Sequence, residues 1–154
     1  MPASVILAIG SLAIMICLTA INFVLALLSG QILILAAVSV ALGALVLMGM
    51  IVGQRLAWQW GRVLGLLAAL LYTWFLAVTL ATGPPRDTNP LTRFASIGYL
   101  GIVVACLYTI FFALGRSSAL DHFGLKCLSC QHYTNAGANF LFTKARCKKC
   151  GNVW

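Results

Sequence analysis

The chain has 154 residues, of which 62% are hydrophobic and only 8% are charged, with a mean hydropathy of +1.04. Soluble domains carry roughly 25% charged residues, so this composition excludes a soluble globular protein and indicates a surface that faces lipid. The net charge is +8, and five of the ten basic residues follow residue 120. Such a basic block predicts contact with anionic headgroups, nucleic acid or an acidic partner.

Four apolar runs follow one another, each close to the ~20 residues that a membrane-spanning helix needs. They predict helices at about 5–28, 32–53, 63–81 and 94–114. The first run is longer than the apolar region of a signal peptide and no basic residue precedes it, so we expect a retained helix. The turn at Ser29–Gln31 forces the first two helices into an antiparallel hairpin. We predict an all-α integral membrane protein with a four-transmembrane-helix bundle over residues 1–115.

Two tryptophans and two arginines lie between the second and third runs. Indole rings prefer headgroup depth and arginine anchors to phosphate. The predicted membrane-interface residues are therefore Arg55, Trp58, Trp60 and Arg62. A ligand platform made by Trp58 and Trp60 is the alternative interpretation.

Small residues predict where helices approach each other closely. Gly49 and Gly53 end the second run and Gly61 and Gly65 begin the third, a pattern that favours close contact of these helices within one chain or between copies. The fourth run carries a comparable face, predicted to pack within the bundle: Gly98, Gly101 and Ala105.

The distribution of charge predicts orientation and argues against transport. No ionisable group lies inside the four runs, whereas pumps and proton-coupled transporters usually need one near the midplane. One side of the bundle is flanked by Arg55, Arg62, Arg116 and Lys126, and the other by Arg86 and Arg93. This bias predicts that the protein is multi-pass with cytoplasmic N- and C-termini. A reducing compartment also suits four free thiols in one segment.

The most specific motif is a pair of Cys-x-x-Cys sequences separated by sixteen residues. It predicts a four-thiolate metal site formed by Cys127, Cys130, Cys147 and Cys150. His122, in a predicted linker at 116–125, is expected to be solvated because four thiolates complete a tetrahedral shell. Cys17 and Cys106 stand alone in apolar runs and are expected to be small buried residues.

Together with Gly151 and Trp154, these four cysteines resemble a zinc ribbon over residues 126–154. The resemblance implies a small antiparallel β domain held by structural Zn²⁺. A segment of this size needs such a crosslink, because fewer than about 40 residues bury too little surface to fold alone. A rubredoxin-like iron site is the alternative. Gln131 rather than glycine follows the first pair, and the interval is shorter than rubredoxins typically show, so the sequence favours zinc.

Basic and aromatic residues surround the predicted metal site. The candidates for contact with a partner or with headgroups are Lys126, Tyr133, Lys144, Arg146, Lys148, Lys149 and Trp154. Stacking on nucleic acid is one use of such a set. It is disfavoured because four thiolates around Zn²⁺ leave a net charge of about −2, which nearby cations offset, and the remaining charge can rest on anionic lipid.

The sequence contains no Ser/His/Asp set, acidic pair or phosphate-binding loop that would indicate an enzyme. We therefore expect a non-enzymatic accessory subunit or adaptor of a membrane assembly. It would present the zinc ribbon to a protein partner or a second copy, with no evident small-molecule substrate. Two alternatives stay open: a membrane-anchored electron-transfer protein with a rubredoxin-like head, and a small-molecule transporter with a regulatory ribbon.

Overall fold

The structure is a computed structural model that describes residues 1–28, 34–82, 90–134 and 144–154. Five helices form in chain order: α1 (Ala3–Leu28), α2 (Ile34–Val52), α3 (Arg55–Thr82), α4 (Pro90–Leu114) and α5 (Ser117–His122). Pro2 precedes α1, and Pro90 is the first residue of α4, a position where its missing N–H costs no helical hydrogen bond. The predicted start of the second helix at 32 lies outside the described residues.

The α2–α3 connection is much tighter than the sequence predicts. The predicted helix ranges leave residues 54–62 between the second and third helices, but α3 begins at Arg55 instead of residue 63. The turn consists of Gly53 and Gln54. Gly53 adopts a φ of +78°, and Gln54 N–H bonds to the Gly49 carbonyl at 2.8 Å, which is the Schellman ending of a helix. Because segment 55–62 contains no proline and a single glycine is tolerated within a helix, the interfacial residues extend α3 by two turns.

The predicted linker at 116–125 is also structured. Residues Ser117–His122 form α5, which packs against α1 and α4. His122 is half-buried, and its Nε2 lies 3.1 Å from the Met50 carbonyl oxygen. The expectation that His122 is solvated is therefore wrong, because α5 folds back onto the end of α2.

The four long helices form a ring in which each contacts two neighbours. α1 packs against α2 and α4, and α3 packs against α2 and α4. Successive helices alternate in direction, so α1 begins at the same end of the bundle where α4 ends. The hydroxyls of Ser4 and Ser118 are hydrogen-bonded there at 2.8 Å. We call this the head end, because the cysteine-containing segment follows α5 at this end.

The main core lies at the head end and joins every helix to the cysteine-containing segment. Its buried members are Val5, Ala8, Met50, Ala57, Trp58, Ile110, Ala113, Leu114, Ala119, Phe123, Leu125 and Ala145. A smaller cluster of Ala69, Val103 and Leu107 lies further along α3 and α4. Elsewhere the helices expose large apolar side chains, such as Leu28 at 80% and Phe94 at 73%. Apolar surface on this scale indicates contact with lipid.

Three of the described helices are long and apolar enough to cross a membrane: Ala3–Leu25, Arg55–Thr82 and Phe94–Leu114. The apolar segment of α2, Ala37–Val52, is shorter than these three. Length and composition therefore indicate a membrane protein, and they support three of the four predicted spans.

One of the two predicted glycine contacts is confirmed and the other is wrong. A Cβ on Gly49 would lie only 2.5 Å from Ala57 Cβ, so α2 and α3 approach as closely as the glycine pairs predict. In contrast, a Cβ on Gly98 or Gly101 would meet no described atom within 4 Å. The opposite face of α4, which carries Val103 and Leu107, is the one that packs against the bundle.

A cavity of about 310 Å³ lies among the four long helices. Most of its lining is aliphatic, and the described polar side chains around it are Thr19, Ser39, Tyr72 and the indole of Trp60. The Thr19 hydroxyl donates to the Met15 carbonyl at 2.9 Å, as expected for a polar residue inside an apolar helix. The described lining therefore offers no continuous polar path.

Candidate metal centre

The two Cys-x-x-Cys sequences fold into equivalent turns. The Cys127 carbonyl accepts from Gln131 N–H at 2.9 Å, and the Cys147 carbonyl accepts from Gly151 N–H at 3.0 Å. Both residues after the turns have left-handed backbone, with φ of 58° at Gln131 and 74° at Gly151. Gln131 thus adopts the left-handed conformation that glycine usually supplies. The two turns therefore have the same backbone conformation at this position, although only the second has glycine there.

Each turn is closed by an isolated antiparallel bridge in the same relative position. The bridges pair Lys126 with Tyr133 and Arg146 with Val153. No longer strand occurs in residues 1–28, 34–82, 90–134 and 144–154. Residues 135–143 of the implied β domain lie outside these ranges. The β-ribbon prediction is therefore supported only as two bridged turns.

The four sulfurs converge on one point. Cys127 Sγ lies 3.6 Å from Cys150 Sγ, Cys130 Sγ lies 3.4 Å from Cys147 Sγ, and all four lie within 4.8 Å of one another. Four sulfurs at about 2.3 Å from a tetrahedral ion would be about 3.8 Å apart. None of the six cysteines is disulfide-bonded. The donor set therefore fits a tetrahedral metal ion, as the sequence predicts, and the geometry alone does not identify the metal.

Backbone amides stabilise one thiolate in each turn. The N–H groups of Cys150 and Lys149 point to Cys147 Sγ and lower its pKa to about 6, against the opposing effect of burial. The N–H groups of Cys130 and Ser129 likewise lower the pKa of Cys127. These two cysteines are buried, whereas Cys150 is exposed. The site is thus prepared to hold negative sulfur at its inner side, and a cation would bind there without rearrangement.

The other two thiols have raised pKa values because they bond to those thiolates. The amide of His132 lowers the pKa of Cys130, but the hydrogen bond with Cys147 and burial outweigh it and raise this pKa to about 12. Asn152 N–H lowers the pKa of Cys150, but its hydrogen bond with Cys147 raises it overall. The hydrogen bonds around the site therefore lower the pKa of Cys127 and Cys147 and raise that of Cys130 and Cys150, and a bound metal would displace the remaining protons.

Arg55 attaches the cysteine-containing segment to the helical bundle. Its guanidinium donates from Nη1 to the Trp154 carbonyl at 3.0 Å, from Nη2 to the Gly124 carbonyl at 3.0 Å, and from Nε to the Phe123 carbonyl at 3.3 Å. It also lies 5.9 Å from the centroid of the Trp154 ring. One side chain at the start of α3 thus holds both ends of this segment.

Trp154 completes the attachment. Its indole Nε1 donates to the Gly124 carbonyl at 2.9 Å, and its backbone pairs with Ala145 in both directions. We call the described part of residues 126–154 the metal head. These contacts fix the metal head to the head end of the bundle.

The predicted interfacial residues take different positions. Trp58 is only 3% exposed, and its Nε1 donates to the Leu114 carbonyl at 2.9 Å, so it joins α3 to α4 inside the protein. Trp60 is 49% exposed and borders the central cavity. Because the two rings border different spaces, they do not form a common ligand platform. The indole N–H of Trp58 is bonded inside the protein, and its interfacial role stays a prediction.

Several predicted partner contacts are already used within the metal head. Lys126 Nζ lies 5.8 Å from the centroid of the Tyr133 ring, whose hydroxyl donates to Asp121 at 3.1 Å. Trp154 bonds to the bundle as described. The residues of this set with exposed side chains are Lys144, Arg146, Lys148 and Lys149. Among the isolated cysteines, Cys106 is half-buried, but Cys17 is exposed on α1, which contradicts its predicted burial.

The sequence indicated the four converging cysteines but missed the contacts that hold the head to the bundle. The sequence predicts Arg55 to be a headgroup anchor because two tryptophans follow it closely in the chain. No local pattern reveals that Phe123, Gly124 and Trp154 lie beside it.

Comparisons of the chain with protein-family models, with curated proteins and with solved structures find no match. The function is therefore inferred from the residues of this chain.

Proposed function

We propose that this protein is a non-enzymatic accessory subunit of a membrane assembly, in which a zinc-bound head serves as a docking surface for a partner protein. All four long helices would cross the bilayer, and both termini would lie in the cytoplasm. The observation that supports this best is the closed set of four converging sulfurs. Four protein ligands leave no coordination position for a substrate, which is typical of structural zinc.

The attachment of the head determines how it would work. Because Arg55 and Trp154 join the metal head to the bundle, the head keeps one orientation relative to the membrane and does not swing on a tether. The exposed tips of the two cysteine turns then face a partner at a defined height. Leu128 is 75% exposed at the first tip, and Lys148 and Lys149 are exposed at the second. An acidic partner surface with an apolar centre would match them.

The metal is tested by elemental analysis of the purified protein. We expect one Zn²⁺ per chain and a colourless preparation. Stoichiometric iron with a visible chromophore that bleaches on reduction would instead support the electron-transfer alternative, in which the exposed Cys150 would face the redox partner.

The docking role is tested by purification from native membranes in a mild detergent. We expect one partner to be retained in constant stoichiometry, and to be lost from Leu128→Asp combined with Lys148→Glu and Lys149→Glu. Arg116→Glu, an exposed change of charge at the same end, is the matched control. A wild-type chain that migrates alone, or as a homo-oligomer unaffected by the triple change, would contradict the proposed subunit role.

The topology is tested with reporter fusions after Trp154 and within segment 83–89. We expect the first reporter to be active in the cytoplasm and the second on the opposite side. One predicted span, α4, separates the two reporters. If both reporters were on one side, α4 would not cross the bilayer and the four-span proposal would fail.

A further inference from the structure

A second cavity lies on the outer face of the bundle near the head end. It has a volume of about 390 Å³ and is formed by one side of α3 and by Phe111 of α4. Its lining consists of Trp58, Gln59, Arg62, Val63, Leu66, Leu67 and Phe111. We call it the Arg62 groove. Its volume falls within the range of small-molecule sites, roughly 300–1,000 Å³.

Arg62 lies between two aromatic rings in this groove. The guanidinium carbon is 5.5 Å from the centroid of the Trp58 ring and 5.1 Å from that of the Phe111 ring. Trp58 cannot move away, because its indole is buried and bonded to the Leu114 carbonyl. The two rings therefore hold the cation in place by cation–π contact, which uses none of its N–H donors.

Those edges have no acceptor within the described part of the chain. Arg62 Nε is buried and has no hydrogen-bond partner there. Of the two acidic residues of the sequence, Asp121 already accepts from Tyr133, and Asp87 lies outside the described ranges. A guanidinium carries five N–H donors, and a buried donor without an acceptor costs free energy. An anionic oxygen in the groove would satisfy both the charge and the donors.

The lining changes from polar to apolar along α3. Gln59 and Arg62 lie at the head end, and Val63, Leu66 and Leu67 follow in the direction of the membrane interior. At 1.5 Å per residue, Leu67 is about 7.5 Å further along the helix axis than Arg62. The groove thus changes from polar to apolar in the same direction as a phospholipid, whose phosphate lies at the interface and whose acyl chain continues into the bilayer.

We propose that the Arg62 groove is a binding site for an anionic phospholipid. The phosphate diester accepts hydrogen bonds from the edge of the Arg62 guanidinium, the Gln59 amide contacts the headgroup, and one acyl chain lies along Val63, Leu66 and Leu67. This inference depends on the membrane embedding proposed above but not on the docking role of the metal head. Failure of the embedding would appear separately, as extraction of the protein from membranes by alkaline carbonate.

The test is a native mass spectrometry titration of the metal-loaded full chain in detergent. The probes are dioleoylphosphatidylglycerol, dioleoylglycerol, which has the chains without phosphate, and glycerol 3-phosphate, which has the phosphate without chains. We expect one phosphatidylglycerol per chain, bound at least about ten-fold more tightly than either of the other probes. Arg62→Gln should weaken phosphatidylglycerol binding by about ten-fold or more, because a charge-assisted hydrogen bond is lost.

Two further variants keep the test decisive. Arg116→Gln removes an exposed arginine of the head end that does not line the groove, and it should leave the affinity for phosphatidylglycerol unchanged. Leu66→Trp fills the apolar part of the groove while Arg62 stays in place, and it should weaken phosphatidylglycerol binding even if Arg62→Gln proves too unstable to purify. Metal content and melting temperature report whether each variant is folded.

Four results would overturn the proposal. Equal affinity of the folded Arg62→Gln and wild-type chains for phosphatidylglycerol would remove the phosphate contact, and Leu66→Trp binding like wild type would remove the acyl contact. Dioleoylglycerol binding as tightly as phosphatidylglycerol would show that charge is not recognised. Glycerol 3-phosphate binding as tightly as phosphatidylglycerol would identify a soluble phosphate as the ligand instead of a lipid.

Discussion

The two ends of the helical bundle are held together by different means. At the head end, twelve buried residues from all five helices and the metal head form one cluster, crossed by hydrogen bonds from Arg55, Trp58, Ser4 and His122. Towards the other end, the described residues contribute only a small cluster of Ala69, Val103 and Leu107. There the helices expose leucine, isoleucine and phenylalanine side chains to their surroundings.

This contrast shows where the fold obtains its specificity. In a bilayer, apolar side chains gain little by leaving lipid for protein, so exposed aliphatic residues do not determine how helices pair. Close packing of small residues and buried hydrogen bonds do determine it, and both concentrate at the head end. We therefore expect perturbations of the head end to be costly and matched perturbations elsewhere to be tolerated.

The largest expected effect comes from removing the metal or one of its ligands. Cys147→Ser, or treatment with a strong chelator, should unfold the metal head, since structural zinc contributes on the order of 10 kcal/mol in small domains. The backbone bonds of Cys127, Ala145 and Cys147 would open, which hydrogen exchange measures directly. Cys17→Ser changes an exposed, isolated cysteine on α1 and should leave both exchange and metal content unchanged. A protected head in the metal-free protein would show that the metal is dispensable for the fold.

Removal of the Arg55 side chain should have the next largest effect. Arg55→Met leaves three backbone carbonyls without their charged donor, and we expect a loss of about 3 kcal/mol in the free energy of unfolding. The melting temperature should fall, and exchange at Ala145 and Trp154 should rise. Arg55→Lys restores the charge but cannot reach three acceptors at once, so an intermediate value is expected. Arg116→Met is the matched control, and an equal loss in both methionine variants would argue against the attachment of the head by Arg55.

A smaller effect is expected from closing the space between α2 and α3. Gly49→Ala places a methyl group against Ala57 Cβ, which cannot rotate away, so the helices must separate at a cost of about 2 kcal/mol. Gly98→Ala introduces the same group on α4, where no described atom lies within 4 Å, and it should be neutral or slightly stabilising because alanine favours helix. Melting temperatures in lipid nanodiscs compare the two. If Gly98→Ala were the more damaging change, the open face of α4 would be an interface with another subunit.

The smallest effect is predicted for the contact between the start of α1 and α5. Ser4 is buried and bonded to Ser118, so Ser4→Ala should cost about 1 kcal/mol. Ser117 is an exposed neighbour of Ser118 on α5. Ser117→Ala should change the melting temperature by less than the error of the measurement. Equal effects of both variants would mean that the hydroxyl pair does not contribute to stability.

Local sequence patterns predicted the elements that depend on local chemistry. The four apolar runs predict helices and helices occur there, with α3 longer by two turns because segment 55–62 contains no proline to end it. The spacing of the four cysteines predicted that they would meet, and their sulfurs do so. The exposed small-residue face of α4 was misjudged, because periodicity shows that a helix has a face but not which neighbour covers it.

What the sequence determined by itself is therefore the apolar helices and the equivalent cysteine turns, since each depends on residues within a few positions of one another. The paired spacing also indicated the set of four cysteines, although the two pairs are sixteen residues apart. The tertiary structure decided the rest. It placed Trp58 inside the protein, joined Arg55 to carbonyls about seventy to a hundred residues away along the chain, and left Arg62 between two rings without an acceptor among the described residues. Such contacts depend on how α2 and α3 turn at Gly53 and on where α5 returns to the bundle. Composition predicts an interfacial arginine, but only the packing of the helices determines whether it meets a headgroup or a carbonyl.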